Sequence, residues 1–216
     1  MTDLMEQLME CMFLDRVPPQ WSKLAYPSTR GLSSWLDNLK LRLEQINRWK
    51  EDPSEIPKVI FLNRLFNPQS FLTAIKQKYS QDNKAPLNKL YIKTDVTKKM
   101  FDQIEDRAKD GAYVFGFHID GARWDVNLGQ LEESWPKKPY SVMPVIHCRA
   151  HLLMENKKED KSVFQCPIYA TDARSKTYVF TAQFRTKAPP HKWILGGVSG
   201  ILDVEGVADQ ANPEMK

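Results

Sequence analysis

The residues best suited to chemistry are four carboxylates, Asp120, Asp125, Glu132 and Glu133, which fall within one short stretch of the sequence. Two carboxyl groups about 5–10 Å apart would suit glycoside hydrolysis, in which one acts as the acid and the other as the nucleophile or base. Adjacent glutamates are, however, more typical of a solvated loop. A hydrolase therefore remains one hypothesis, which requires a cleft that holds two of these groups and raises the pKa of at least one.

The segment GFHIDGARWD, residues 116–125, has a simpler structural interpretation. Asp120-Gly121 after an alternating strand predicts a β-hairpin turn, and Gly121 can adopt the positive φ that such a turn needs. Arg123 and Asp125 then share one face of the return strand, where they can form an ion pair, while Trp124 points into the core. We prefer this turn and lock to catalysis by these residues.

Four possible metal ligands, His147, Cys148, His151 and Cys166, are present without a metal-binding motif. No CxxC or HExxH spacing preorganises a site, and His147 and Cys148 would face opposite sides of a strand. We expect buried, metal-free cysteines. The odd number of cysteines favours a reducing compartment.

Phosphate-binding signals are weak. Gly111 and Gly116 have the spacing of a P-loop, but Phe117 and His118 stand where lysine and a hydroxyl residue are required. The segment GGVSG at 196–200 does not precede a predicted helix. No serine or cysteine lies in a recognisable nucleophile motif. We expect no cofactor and no catalytic residue in this protein.

Composition and charge exclude two classes of partner. The 216 residues carry a net charge of only +4 and contain no polybasic arm, so we expect no nucleic-acid partner. The longest apolar run, 59–62, is far too short to cross a bilayer, and no basic residue precedes Arg16, so we expect neither a membrane span nor a signal peptide.

The elements that position these residues fall into two halves. Apolar residues recur at helical spacing from Leu4 to Phe13 and again over 31–50, and Asn67-Pro68 predicts the start of a third helix. Short strands separated by turn-rich segments are predicted at 89–96, 111–119, 143–152, 162–170, 177–186 and 192–204. We predict an α+β protein with a helical subdomain (1–88), an antiparallel, incomplete β-barrel (89–204) and a frayed tail (205–216).

An ordered set of segments gives the sequence a specific resemblance. The segments are VPPQWSKLAYPS (17–28), FLNRLFNPQSFLTAIKQ (61–77), GAYVFGFHIDGARWD (111–125), LEESWPK (131–137), MPVI (143–146), CPIYAT (166–171), TYVFTAQFRT (177–186) and KWILGGVSGILDV (192–204). Together they resemble the C-terminal domain of dynein heavy chains. GARWD and MPVI are more typical of the axonemal branch, and FNPQSFLTAIKQ is more typical of outer-arm chains.

The resemblance implies helices followed by an incomplete barrel, which agrees with the pattern above. It also implies that the domain follows the last ATPase module of its own heavy chain and lies across that ring. Its role would be regulatory, acting on force and processivity in the cytoskeleton of cilia and flagella. The nucleotide and microtubule sites of the family lie outside this domain, so the microtubule would be contacted only through the parent motor.

Two apolar groups in the helical half are candidates for the ring interface: Leu4, Leu8 and Met12 in the first helix, and Phe61, Leu65 and Phe66. The alternative is that both groups fill the core of the domain itself, since stripe position alone does not tell which partner buries it.

A different class of function also remains open. Trp135, Tyr140 and Trp193 could form an aromatic platform on a carbohydrate- or peptide-binding β module with a helical preface. Exposure of these aromatic side chains on one surface would favour this hypothesis, and their burial would count against it.

Overall fold

The computed structural model describes residues 2–53, 56–153, 160 and 162–204, so the predicted tail at 205–216 lies outside the described residues. The helices are α1 (Asp3–Phe13), α2 (Pro19–Ser22), α3 (Leu32–Glu51), α4 (Pro68–Asn83) and α5 (Pro190–Leu195). The strands are β1 (Ile60–Phe61), β2 (Leu90–Val96), β3 (Ala112–Phe115), β4 (His118–Asp120), β5 (Ala122–Asp125), β6 (Gln130–Glu133), β7 (Tyr140–Val142), β8 (Ile146–Leu152), β9 (Val163–Thr171), β10 (Tyr178–Arg185) and β11 (Ser199–Asp203). The predicted α+β class is confirmed.

Three sheets form the β part. One sheet has the order β1-β3-β8-β2, a second has the order β10-β9-β11-β4-β7, and β5 and β6 form a separate pair. The sheets do not form a closed barrel. Most neighbouring strands are antiparallel, as predicted, whereas two pairs, β1 with β3 and β9 with β11, are parallel. Each parallel pair is joined by a long connection, as parallel pairing requires, and each connection includes a helix.

Local signals fix the ends of the longer helices. The Asn67 side chain accepts a hydrogen bond from the Ser70 N–H at 3.0 Å, and Pro68 takes the first helical position, as predicted. Lys84 ends α4 in a left-handed conformation. The N-terminus of α3 is capped from a distance: Asp15 Oδ1 accepts from the N–H and the hydroxyl of Ser33 at 2.8 and 2.7 Å. The three helices predicted in the first half correspond to α1, α3 and α4 and are confirmed.

One apolar core crosses the predicted boundary at residue 88. It includes Ile60, Leu62 and Leu72 from the first half together with residues of both larger sheets. Strand β1 also belongs to a sheet whose other strands come from the second half. The four-stranded sheet is therefore completed by residues that the sequence pattern assigned to the helical subdomain.

A buried ion pair joins the segment before α3 to the last strand. Asp203, at the end of β11, is 2% exposed and pairs with the Arg30 Nε. The Ser28 hydroxyl donates to the second carboxylate oxygen at 3.0 Å, and Arg30 Nη1 donates to the Ser34 hydroxyl at 2.8 Å. This network connects residues that lie far apart in the sequence.

Arg42 makes a second polar connection between α3 and the rest of the domain. Its Nη1 donates to the Leu65 carbonyl at 2.5 Å, its Nε donates to Asn38 Oδ1 at 2.7 Å, and its guanidinium lies 3.5 Å from the Tyr26 ring centre. Burial lowers the pKa of Arg42, and the neighbouring Tyr26 partly opposes this shift. The buried guanidinium is thus stabilised by a carbonyl, an amide and an aromatic face.

None of the described helices combines the length and the apolar character that a bilayer-crossing segment requires.

We predict that Asp203→Ala lowers the free energy of unfolding by about 3 kcal/mol, because removal of one partner leaves a largely buried arginine without its carboxylate. Urea denaturation of the protein measures this change. Asp37→Ala is the matched control: Asp37 contacts Lys40 at 3.2 Å on the surface, where such pairs contribute at most about 1 kcal/mol. Equal effects of the two substitutions would contradict the role assigned to Asp203.

Candidate functional site

The predicted hairpin at Asp120-Gly121 is wrong. Gly121 does adopt a positive φ of 78°, but β4 pairs with β11 and β7, whereas β5 pairs only with β6. Both edges of β4 are therefore occupied, and β5 has no free edge of β4 to pair with. Gly121 is instead a bend that carries the backbone out of the five-stranded sheet and into the two-stranded one.

The hairpin lies one strand later, and Asp125 organises its turn. Asp125 Oδ1 accepts hydrogen bonds from the N–H groups of Asn127 and Leu128, both at 2.9 Å, and Gly129 closes the turn with a φ of 64°. The backbone bond from Leu128, followed by the side-chain bond from Arg123, lowers the pKa of Asp125. An aspartate side chain that accepts from the backbone N–H two residues later is typical of turns, so Asp125 could have predicted this hairpin from the sequence.

Arg123 and Trp124 occupy opposite faces of β5. Arg123 Nη1 lies 3.2 Å from Asp125 Oδ2, and Trp124 is 9% exposed, with its ring 5.9 Å from that of Phe184 in the core. This part of the predicted lock therefore has the placement that the alternation of the strand indicated.

The other carboxylates of the segment are engaged by neighbouring groups. Asp120 pairs with Arg174 at 2.5 Å, Glu133 pairs with Lys192 at 2.5 Å, and Glu132 accepts from the Gln130 amide at 2.5 Å. The bond from Lys192 lowers the pKa of Glu133. A general acid requires a raised pKa, so the shifts of Asp125 and Glu133 have the wrong sign for this role.

The thiols and imidazoles do not converge. Cys148 and Cys166 are fully buried, and burial raises the pKa of both thiols. His147 and His151 lie on the opposite face of β8 from Cys148 and are partly exposed. Among the described residues, no three histidine, cysteine or acidic side chains are grouped so that they could hold a metal ion.

The glycines of the P-loop-like segment serve close packing. A Cβ on Gly111 would lie 2.1 Å from the Cys148 carbonyl oxygen, and a Cβ on Gly116 would lie 2.2 Å from Asn63 Oδ1. Both residues have positive φ. They allow a strand and a side chain to approach the backbone, so their spacing has a structural explanation that does not involve phosphate.

The three aromatic residues of the platform hypothesis differ in how far they are exposed to solvent. Trp193 is 4% exposed and donates from Nε1 to the Thr186 hydroxyl at 2.7 Å. Trp135 is 61% exposed, and Tyr140 is partly buried. A platform made of all three is therefore excluded, although Trp135 remains at the surface.

The first candidate interface group lies on an uncovered helix. We define the α1 surface as the apolar side chains Leu4, Met5, Leu8, Met9 and Met12. No residue of α1 is buried; Leu4 and Met12 are 52% and 61% exposed, and Leu8 is partly exposed. The domain leaves this apolar stripe open.

The second candidate group is divided. Leu65 is buried in the main core, and Phe61 packs edge-on against Phe101 and Phe115 at ring distances of 5.4 and 5.5 Å. Phe66 is 42% exposed and contacts the Tyr26 ring. Leu65 is therefore unavailable to a partner, and Phe61 is largely engaged within the domain, as the alternative interpretation of this group stated.

The structure is an α+β domain whose first helix presents apolar side chains at the surface. The family model for the C-terminal domain of the dynein heavy chain matches residues 1–202. The protein belongs to this family, and the resemblance inferred from its sequence segments is confirmed.

Curated relatives share this domain at substantial identity. The protein is 47% identical over 204 residues to "Dynein beta chain, flagellar outer arm" of Chlamydomonas reinhardtii, a match that includes 94% of its residues. It is 40% identical to "Dynein axonemal heavy chain 11" of Sus scrofa and 38% identical to "Dynein axonemal heavy chain 9" of Homo sapiens, matches that include 92% and 94% of its residues. It spans only 4% of the length of each of these relatives.

We predict that only one of the three cysteines reacts rapidly with an aromatic disulfide reagent in the native protein. Cys148 and Cys166 are buried with raised pKa values, so thiolate formation is suppressed, whereas Cys11 on α1 is partly exposed. Absorbance of the released thiolate measures the reaction, with the remaining thiols reacting on unfolding in urea. Cys11→Ser should abolish the rapid phase; a rapid phase of two thiols would contradict the burial.

Proposed function

We propose that the protein is the C-terminal domain of an axonemal dynein heavy chain and that it performs no catalysis itself. In this proposal the domain packs on the ATPase ring of its own heavy chain through the α1 surface and modulates motor output. The observation that carries the proposal is that α1 is rich in leucine and methionine yet buries none of its residues within the domain.

The exposed leucine and methionine side chains of α1 favour binding of another protein surface. Covering apolar surface contributes about 25 cal/mol per Å², and extended exposed apolar patches on soluble proteins mark interaction sites. The attachment of α1 is also defined: the Leu32 N–H donates to the Asp15 carbonyl at 2.9 Å, and the Asp15 side chain caps α3. A force on α1 is therefore transmitted to α3 through a short, hydrogen-bonded connection.

The absence of catalysis is supported by how the acids and thiols are used. Asp120, Asp125 and Glu133 form ion pairs with Arg174, Arg123 and Lys192, and the two buried thiols have raised pKa values. A nucleophilic thiol requires the opposite shift. Motor ATPase activity would then belong to other parts of the heavy chain.

The names of the relatives support the cellular context. They include flagellar outer-arm, axonemal and ciliary dyneins. We therefore place this protein in the axoneme of a cilium or flagellum, with an outer-arm heavy chain as the parent. Microtubule contact would occur through the parent motor, and the intramolecular partner of this domain would be the ring.

A body that packs across several ring modules couples their motions, because a module that moves alone must first break its contacts with that body. The α1 surface would contribute the apolar part of these contacts. This mechanism makes the domain a regulator of force and processivity and assigns it no part in ATP hydrolysis.

We predict that Leu4→Asp combined with Met12→Asp changes the motility of the full-length heavy chain, because two carboxylates replace apolar contacts with the ring. Gliding velocity and run length in single-motor assays measure the effect, with Gln7→Asp on the polar face of α1 as the control. In the isolated 216-residue protein, the double substitution should leave the urea midpoint unchanged, since both side chains are already exposed.

Wild-type velocity and run length in the double variant would overturn the assignment of α1 to the ring interface. A lowered urea midpoint of the isolated protein would instead show that α1 is needed for the stability of the domain.

A further inference from the structure

A second open site lies at the seam between the five-stranded sheet and the β5–β6 pair. A cavity of about 320 Å³ is lined there by His118 of β4, Arg123 of β5, strand β7, and Trp135 and Lys138 of the loop before β7. Strand β7 is the last strand of its sheet in the part of the protein that the structure describes. The cavity therefore adjoins a sheet edge.

The register of β7 determines which backbone groups face the seam. The Gly121 N–H donates to the Pro139 carbonyl, and the Met143 N–H donates to the Phe117 carbonyl. Since hydrogen-bonded and non-hydrogen-bonded pairs alternate in an antiparallel ladder, Ser141 completes the bonded set opposite Ile119. The N–H and C=O groups of Tyr140 and Val142 consequently point away from β4, and no described strand is hydrogen-bonded to them.

The lining of the cavity has a positive charge. Arg123 and Lys138 are its basic side chains, and no aspartate or glutamate is among the described residues that line it. Arg123 pairs with Asp125 through Nη1, but its buried Nε donates to no described group. A carboxylate that enters the cavity can approach both cations.

The exposed Trp135 side chain is not expected at an edge whose residues serve only to prevent strand pairing. Proteins often blunt sheet edges with lysine and proline, as Lys137, Lys138 and Pro139 could do here. Trp135, however, is 61% exposed, with the Arg123 guanidinium 4.5 Å from its ring centre. An exposed tryptophan beside a strand edge that no described strand pairs with offers apolar contact area to an incoming peptide and opposes the purely protective interpretation.

We infer that this seam, defined as the cavity together with the outer edge of β7, binds an acidic peptide segment of another protein in extended conformation. The peptide adds a strand to β7 through the backbone groups of Tyr140 and Val142. Its carboxylates pair with Arg123 and Lys138, and an adjacent side chain packs on Trp135. The site is separate from the α1 surface, so the domain can contact a second protein while it lies on a ring.

Strand addition favours a peptide over other anions. An extended peptide supplies alternating N–H and C=O groups that match those of an open edge, and neither a sugar nor a nucleic-acid backbone carries them. Nucleic-acid binding also relies on phosphate contacts by many basic side chains, whereas Arg123 and Lys138 are the two lysine or arginine residues that line this cavity.

The test uses the 216-residue protein and dye-labelled hexaglutamate, with binding followed by fluorescence anisotropy. Two matched probes isolate the two parts of the proposal: hexaglutamine has the same backbone without charge, and hexaglutamate with alternate N-methylated residues has the same charge with half of its backbone donors removed. We expect hexaglutamate to bind about fivefold or more tightly than either matched probe, a difference of about 1 kcal/mol.

Variants locate the site. Lys138→Glu and Trp135→Ala should each weaken hexaglutamate binding by about fivefold or more. Lys40→Glu makes the same charge change on α3, at a side chain that is 73% exposed and outside the cavity, and should have a smaller effect. Circular dichroism and the urea midpoint of each variant establish that the fold is retained.

Four results would overturn the inference. No hexaglutamate binding would do so outright. Equal weakening by Lys138→Glu and Lys40→Glu would show diffuse electrostatic attraction, and undiminished binding of the N-methylated probe would exclude strand addition. Equal or tighter binding of a hexathymidylate oligonucleotide would identify a general polyanion surface in place of a peptide site.

Discussion

The arrangement of the two halves depends on the buried carboxylate of Asp203. A buried charge is tolerated only when it is paired and hydrogen-bonded, and Asp203 obtains its partners from Arg30 and Ser28. These partners are 173 and 175 positions away in the sequence. Any displacement of the segment before α3 would remove Arg30 and Ser28 from the carboxylate. The need to pair the buried charge in β11 therefore fixes the position of this segment and of α3, which follows it.

This constraint is important because the first helices share little apolar surface with the main core. Tyr26, Leu32 and Trp35 form a small cluster of their own, distinct from the large cluster between the sheets. Arg42 links the two regions through the Leu65 carbonyl and the Tyr26 ring. A few directional contacts thus orient the segment from Tyr26 through α3 on the rest of the domain. The α1 surface belongs to neither cluster.

The features that could be predicted from the sequence are those determined by neighbouring residues. Asn67-Pro68 begins α4 because the cap and the fixed proline φ act within one turn, and alternation along β5 places Trp124 inside and Arg123 outside. Burial of Leu65 and Trp193 was not predictable in this way, since it depends on strands and helices distant in the sequence. The same limit left the two interpretations of the Phe61 and Leu65 group unresolved at the level of sequence.

The misassigned hairpin shows how such a long-range effect generates a surface. The dipeptide Asp120-Gly121 satisfies every local condition for a two-residue turn, but β11 and β7 already occupy both sides of β4. Strand β5 must therefore leave the sheet and pair with β6, and β7 remains without a hydrogen-bonded neighbour on its outer side among the described strands. Competition among strands for β4 thus opens the seam and places Arg123 and Trp135 beside it. A true hairpin at Gly121 would have put β5 against β4, displacing β7 or β11 from that position.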